Sequence, residues 1–383
     1  MAAFPFGGCW AAEIAKVLAR ERGMSLKVEW SSMTVAVDPV SLERSGGTAS
    51  RPFFPRVESL RGLGALAVAG YHLTGFEWIP GRSALMMFFV ISGFVLCVSL
   101  RHGPQDVAPA AARFIIARIF RIWPIVVFSV LFVTLIVACL PGSSPALQLN
   151  FRTFFLNAAL LDVGLNGALW ALQVEVLAVP VILGLYFVER RYGSRYLLLF
   201  ALVSTLLSFS GAWALWPPLS HNLFAISLGM LIPIIGRGSV AQMSSRQAQL
   251  SAIAAILGLL LPGPLLGFYS QWSGVTAAGA AAALVSLLVN RRDLPWAAFL
   301  EWTTTRRLGL VSGSYYVLHM PIAMAVDRLF ALSGFKMDAL LFVPVVLLST
   351  FLIALLTYSL IEKPGIALGR DLTKQLRLQP SRP

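Results

Sequence analysis

Apolar runs long enough to cross a bilayer recur from residue 57 onward with only short polar breaks between them, and no other feature limits the fold as strongly. A helix needs about 20 predominantly apolar residues to span the hydrocarbon core, where every backbone N–H and C=O must be satisfied within the segment. The runs fall at 57 to 75, 84 to 100, 122 to 141, 167 to 188, 195 to 212, 219 to 236, 248 to 267, 272 to 290, 308 to 330 and 339 to 361. FRTFFLNAALL, at 151 to 161, is too short to cross and reads as an interfacial or re-entrant segment on the outer side. With 57% hydrophobic and 12% charged residues, the chain is excluded from the soluble globular class.

The expected fold is therefore all-α and integral to a membrane, with about ten transmembrane helices. An even number puts both termini on one side, and the distribution of Lys and Arg says which. With cytoplasmic termini, 25 of the 30 basic residues fall in inner segments, while Arg82, Arg152, Arg328 and Lys336 fall in outer ones. Topology thus accounts for the net charge of +13; the basic residues lie between apolar runs and form no single patch for nucleic acid. The bilayer is the expected partner, and the cell inner (cytoplasmic) membrane the expected location.

Residues 1–55 mix charges with Gly, Ser and Thr and read as a flexible cytoplasmic leader, with a short surface helix over 10 to 30, no cleavable signal, and Met33 as an alternative initiator. Residues 56–364 form the expected transmembrane domain and 365–383 a cytoplasmic tail. Cys9, Cys97 and Cys139 make no CxxC or Cys/His cluster, so neither a disulfide framework nor a zinc site is indicated.

The first run, RVESLRGLGALAVAGYHLTG at 56 to 75, carries Arg61 near its start and His72 near its end. Eleven helical steps return to within about 20° of the same face, about 16 Å further along, so both side chains share one stripe. A charge at the centre of a spanning helix costs roughly 2.5 to 3.5 kcal/mol on insertion scales, so the stripe should face protein or a polar cavity.

Ser92 and Gly93 interrupt the second run, ALMMFFVISGFVLCVSL; they either let a neighbouring helix approach closely or leave room for a ligand. ARFIIARIFRIWP places Arg113, Arg118 and Arg121 at the cytoplasmic mouth of the third span. Arg118 and Arg121 share a helix face, suited to phosphate groups or to lipid headgroups. In GALWALQVEVLAVPV, Glu175 lies about 12 Å inside the membrane, at an outer depth similar to that of His72. The pair reads as a base with an orienting carboxylate, or as a structural hydrogen bond. SGSYYVLHMPI puts Tyr315, Tyr316 and His319 mid-membrane, and Ile361-Glu362-Lys363-Pro364 reads as a helix stop at the inner surface. There is no P-loop, Rossmann glycine pattern, HExxH or GxSxG.

Taken in order, these motifs resemble membrane acyltransferase family 3, which includes O-acetyltransferases of bacterial surface polysaccharides. The likeness runs from about Arg56 to Pro364. Its most specific element is an arginine, ten intervening residues and a histidine, matched by Arg61 and His72. FFVISGF, RFIIARIFRIWP, LWALQVEV with Trp170 and Glu175, GSYYVLHMPI and IEKP resemble the others. Met86 stands where many relatives have an acidic residue, and Ala171 where they have a serine. The resemblance implies an acyl-CoA donor used from the cytoplasm, generally acetyl-CoA, no permanently bound cofactor and no metal. The acceptor it implies is a hydroxyl of a carbohydrate-containing molecule or glycolipid at the outer face. Arg113, Arg118 and Arg121 would hold the donor's phosphates with Arg61 further in, beside Ser92 and Gly93. His72, oriented by Glu175, would deprotonate the acceptor, with Trp170, Tyr315 and His319 in support. The competing reading is a polytopic transporter or exporter of a glycan or small metabolite, which moves its substrate without acyl transfer. No pair of Gly- or Pro-broken spans in matching halves supports that reading.

Overall fold

Pro55 in its first turn starts α1 (Pro55–Thr74), and after a short turn the chain returns as α2 (Gly81–Arg101). The structure is a computed structural model that describes residues 53–104, 106–140, 149–210, 217–334 and 338–378. The expected leader helix and Met33 lie outside the described residues. α3 (Val107–Cys139) continues through Pro124 for 33 residues, so the arginine-rich stretch and the third apolar run are one helix. The short run at 151 to 161 is helical only over α4 (Phe151–Ala158), started by the Asn150 side chain, which accepts from the Thr153 amide. A 3-10 turn (Gly167–Leu169) leads into α5 (Trp170–Leu177) and α6 (Val179–Tyr192). Then follow α7 (Ser194–Leu207), α8 (Leu223–Ala241), α9 (Ser245–Leu260), α10 (Gln271–Asn290), α11 (Thr303–Leu310), α12 (Ser312–Ser333), α13 (Ala339–Thr357) and α14 (Lys363–Leu378). Among the described residues there is no strand.

Five helices among them are long and apolar enough to cross a membrane: Gly81–Arg101, Val107–Cys139, Gly167–Tyr192, Gln271–Asn290 and Ala339–Gln375. α11 and α12, bent by 72° where they meet, make a sixth if they count as one span. The ten-span reading further requires α1, which carries Arg56, Glu58 and Arg61 in its first two turns, and the shorter α7, α8 and α9 to cross.

α2 is the central element, packed against α1, α8 and α10. Its contact with α8 is backbone to backbone: a Cβ on Gly93 would collide with the Ile226 carbonyl, and one on Gly229 with the Val90 carbonyl. Gly93 therefore serves as a packing residue turned toward α8, the first of the two readings open in the sequence. α1 lies between α2 and the α11–α12 arm. Ile361-Glu362-Lys363-Pro364 is no helix stop, because a π-turn (Tyr358–Glu362) carries α13 directly into α14. Pro364 therefore lies inside a continuous helical run, directly after the π-turn.

Candidate active site

The polar stripe of α1 lies along α12. Arg61 Nε donates to Ser312 Oγ at 2.8 Å, and His72 Nδ1 lies 2.8 Å from His319 Nε2, so both ends of the stripe meet the same helix. Close approach beside Arg61 depends on missing side chains, since a Cβ on Gly62 would come 2.5 Å from the Gly309 nitrogen of α11. Burial of Val57, Leu60, Val68 and Ala69 then fixes the rotation of α1 that keeps Arg61 and His72 in the seam.

The histidine pair has a readable proton order. His319 is fully buried, and its Nδ1 lies 2.6 Å from the Tyr316 carbonyl. A carbonyl only accepts, so Nδ1 of His319 carries the proton and Nε2 of the neutral ring carries a lone pair. That lone pair accepts from Nδ1–H of His72, so in the neutral His72 ring Nε2 is the unprotonated nitrogen. The rings lie nearly parallel, 15° apart with centroids 5.1 Å apart, and the rest of His72 is exposed. His72, exposed as a residue, is thus held in one tautomer by a buried neighbour.

Glu175 does not perform the orienting task expected of it. Its Oε2 accepts from Arg118 Nη2 at 2.9 Å and its Oε1 from Ser92 Oγ at 2.8 Å, while Arg118 Nη2 also reaches Ser92 Oγ at 3.3 Å. Matched depth was not enough to make Glu175 the neighbour of His72. A largely buried carboxylate is satisfied best by a guanidinium, whose charge-assisted hydrogen bond is stronger than one from a neutral imidazole. Ser92 joins this cluster through its hydroxyl, and Nε of Arg118 is buried there without a hydrogen-bond partner.

The three arginines of α3 separate into a pair and an outlier. Arg121 stays near Arg61 and Arg118, within electrostatic reach of both. Arg113 instead donates to the His102 carbonyl in the α2–α3 connection. Five helical steps turn Arg113 about 140° away from Arg118, so the division follows from helix geometry. Tyr315 points to α13, with its hydroxyl 3.4 Å from the Leu347 carbonyl, and Trp170 packs edge-on against Phe89. Tyr316, which bonds His319 through its carbonyl, packs edge-on against Phe88 and feels the charge of Glu175.

Several site groups were not recognised in the sequence. Glu362 is buried, accepts from Ser314 Oγ at 2.8 Å and acts on Arg61, together with Glu58. A carboxylate beside a lysine and a proline gave no signal of burial. Ser312, the partner of Arg61, lay unmarked among small residues, although its place seven positions before His319 puts it on nearly the same helix face.

Fold and site together define a multi-pass helical membrane protein that gathers a histidine pair and an arginine–carboxylate cluster around its first helix. The family model described as an acyltransferase domain matches residues 54–359, most of the chain and nearly all of these groups. The chain belongs to membrane acyltransferase family 3 and is a membrane acyltransferase. No curated protein and no solved structure matches it.

Proposed function

We propose that the protein moves an acyl group, most simply acetyl, from an acyl-CoA to a hydroxyl of a carbohydrate-containing acceptor, with Nε2 of His72 as the general base. The observation that carries this reading is the hydrogen-bonded order from His72 Nδ1 through His319 to the Tyr316 carbonyl, which leaves that nitrogen free to take a proton. The acceptor oxygen bonds to the thioester carbonyl carbon as its proton passes to His72. The carbon–sulfur bond then breaks, and the same proton leaves with the sulfur as CoA thiol.

Arg61 and Arg121 suit the phosphates of the donor, as planar multi-donor cations at the other end of α1. Arg118 has its charge balanced by Glu175, so that pair serves to position the donor path and not as a free phosphate clamp. In this account ten spans place both termini in the cytoplasm of a bacterial inner membrane, and the stripe of α1 leads from a cytoplasmic donor to an outer-face acceptor. The distribution of basic residues supports that direction.

Mass spectrometry of surface glycans from cells with and without the protein tests the acceptor class. An O-acyl substituent present only with the protein is expected. Glycans of unchanged mass alongside a newly acylated small metabolite would contradict the carbohydrate assignment.

A further inference from the structure

The last turn of α1 and the turn that precedes α10 meet in a group of aromatic rings beside His72. The Gly267 carbonyl accepts from the Ser270 amide at 3.1 Å, which closes a β-turn with Phe268 and Tyr269 at its centre. Gly267 enters that turn at a φ of 90°, a conformation that favours glycine. Ser270 leaves it as the cap of α10, its side chain accepting from the Ser273 amide. The turn separates its two rings, since Phe268 is only 7% exposed and Tyr269 is 74% exposed.

Tyr71 connects this turn to the candidate base. Its ring stacks on Phe268, 15° from parallel with centroids 4.2 Å apart, and its hydroxyl lies 2.8 Å from that of Tyr269. Its ring centroid is 5.8 Å from that of His72. The start of α2 packs against the root of the side chain: a Cβ on Gly81 would come 2.7 Å from the Tyr71 Cβ.

Tyr269 is the part of the group left uncovered. Its ring meets Phe268 in an edge contact, 75° between planes and 5.0 Å between centroids. A planar ring that is three-quarters exposed keeps an open face. Two hydroxyls in contact share one hydrogen bond, so whichever donates, the other keeps its own O–H and both keep lone pairs. A held aromatic face with an uncharged donor and acceptor at its edge matches a pyranose. The C–H groups on one side of such a sugar meet the negative face of an aromatic ring, and its hydroxyls stand at the rim. An alkyl chain would leave the hydroxyl pair unused.

We infer that Tyr269, with the hydroxyl of Tyr71, is a binding platform for a pyranose of the acceptor. Its assignment to the acceptor rests on the acyl-transfer reading, while the capacity to bind a sugar does not. Tyr71 contacts both His72 and Tyr269, so the sugar on the platform is the acylated unit or the next one along the acceptor.

Binding to the purified full-length chain tests the platform without reference to turnover. Saturation-transfer NMR would be recorded in amine-oxide micelles, which carry no sugar, with the methyl pyranosides of glucose, galactose and rhamnose. Sorbitol, an open-chain polyol with hydroxyls but no ring face, is the control. At least one pyranoside should bind through its ring C–H protons while sorbitol does not. Its affinity should fall roughly two- to tenfold in Tyr269→Ala, the loss of one aromatic contact, and be kept in Tyr269→Trp. Tyr269→Phe, which keeps the ring and removes the hydroxyl, should fall between the two, and equal melting temperatures would show that the variants fold. Binding of no pyranoside, or wild-type binding by Tyr269→Ala, would overturn the inference. So would lipid retention in native mass spectrometry that falls in Tyr269→Ala while sugar binding stays unchanged, since the ring would then be a membrane-interface anchor. Tyr269-dependent sugar binding alongside full acyl transfer by His72→Ala would uphold the platform and reject the base, which keeps the two claims separate.

Discussion

His72 Nδ1 and His319 Nε2 are 2.8 Å apart, and the second ring is itself held by a backbone carbonyl 2.6 Å from its Nδ1. The acceptor nature of that carbonyl fixes the proton order of both rings. A buried residue thereby orients the ring of an exposed one.

His319→Leu should lower kcat by roughly 10²- to 10⁴-fold, the range of general-base catalysis, and leave KM for the donor nearly unchanged. His319→Asn keeps an acceptor oxygen near the site of Nε2 and should recover part of that loss. Steady-state kinetics on the three proteins checks this. Equal losses in both variants would point to packing instead of tautomer control.

Removing one member of the Arg118–Glu175 pair leaves the other buried, with side-chain exposures of 11% and 18%. Arg118→Gln should therefore destabilise the protein by about 3 kcal/mol or more, and Glu175→Gln similarly. The double variant Arg118→Met with Glu175→Leu should recover most of the melting temperature, because the apolar replacement leaves no buried charge unpaired. Thermal unfolding in micelles reads all three.

Gly93→Ala should cost about 1 to 3 kcal/mol through overpacking against the Ile226 carbonyl. Its effect should appear in melting temperature and yield, with donor KM unchanged in the protein that folds. A selective rise in donor KM would assign Gly93 to the ligand path.

Asp293 lies in the connection between α10 and α11, where it accepts from Arg291 at 2.6 and 2.7 Å and from Ser245 Oγ at 2.8 Å. These hydrogen bonds hold its carboxyl well below the ordinary value of 3.8, Arg291 being the larger cause. A depressed folded value means that the stabilisation is fully present above about pH 4 and fades as pH falls below it toward the folded value. Asp293→Asn should therefore melt lower than wild type at neutral pH, with the gap narrowing as pH is taken below 4. A gap independent of pH would contradict the assignment.

The parts of this architecture legible in the sequence are those that depend on position along one helix. Arg61 and His72 share a face because eleven steps nearly complete three turns, and both do meet α12. Arg113 was separable from Arg118 and Arg121 by the same geometry, although charge alone grouped the three. Contacts between helices were harder to read. Depth matched Glu175 to His72, but depth gives height in a bundle and not direction, and the arginine of α3 lay in the direction Glu175 faces. Glu362 was hidden by Lys363 and Pro364, which mark an ending when the chain is read alone; the π-turn that turns the carboxylate inward leaves no such mark.

His72 is assigned as the base in acyl transfer. The direct measurement is incorporation of label from radiolabelled acetyl-CoA into the acceptor fraction by the protein reconstituted in vesicles, compared with His72→Ala at equal folded amount. Transfer by the wild type and a loss of at least about 10²-fold in the variant are expected. Equal labelling by the two proteins would contradict it.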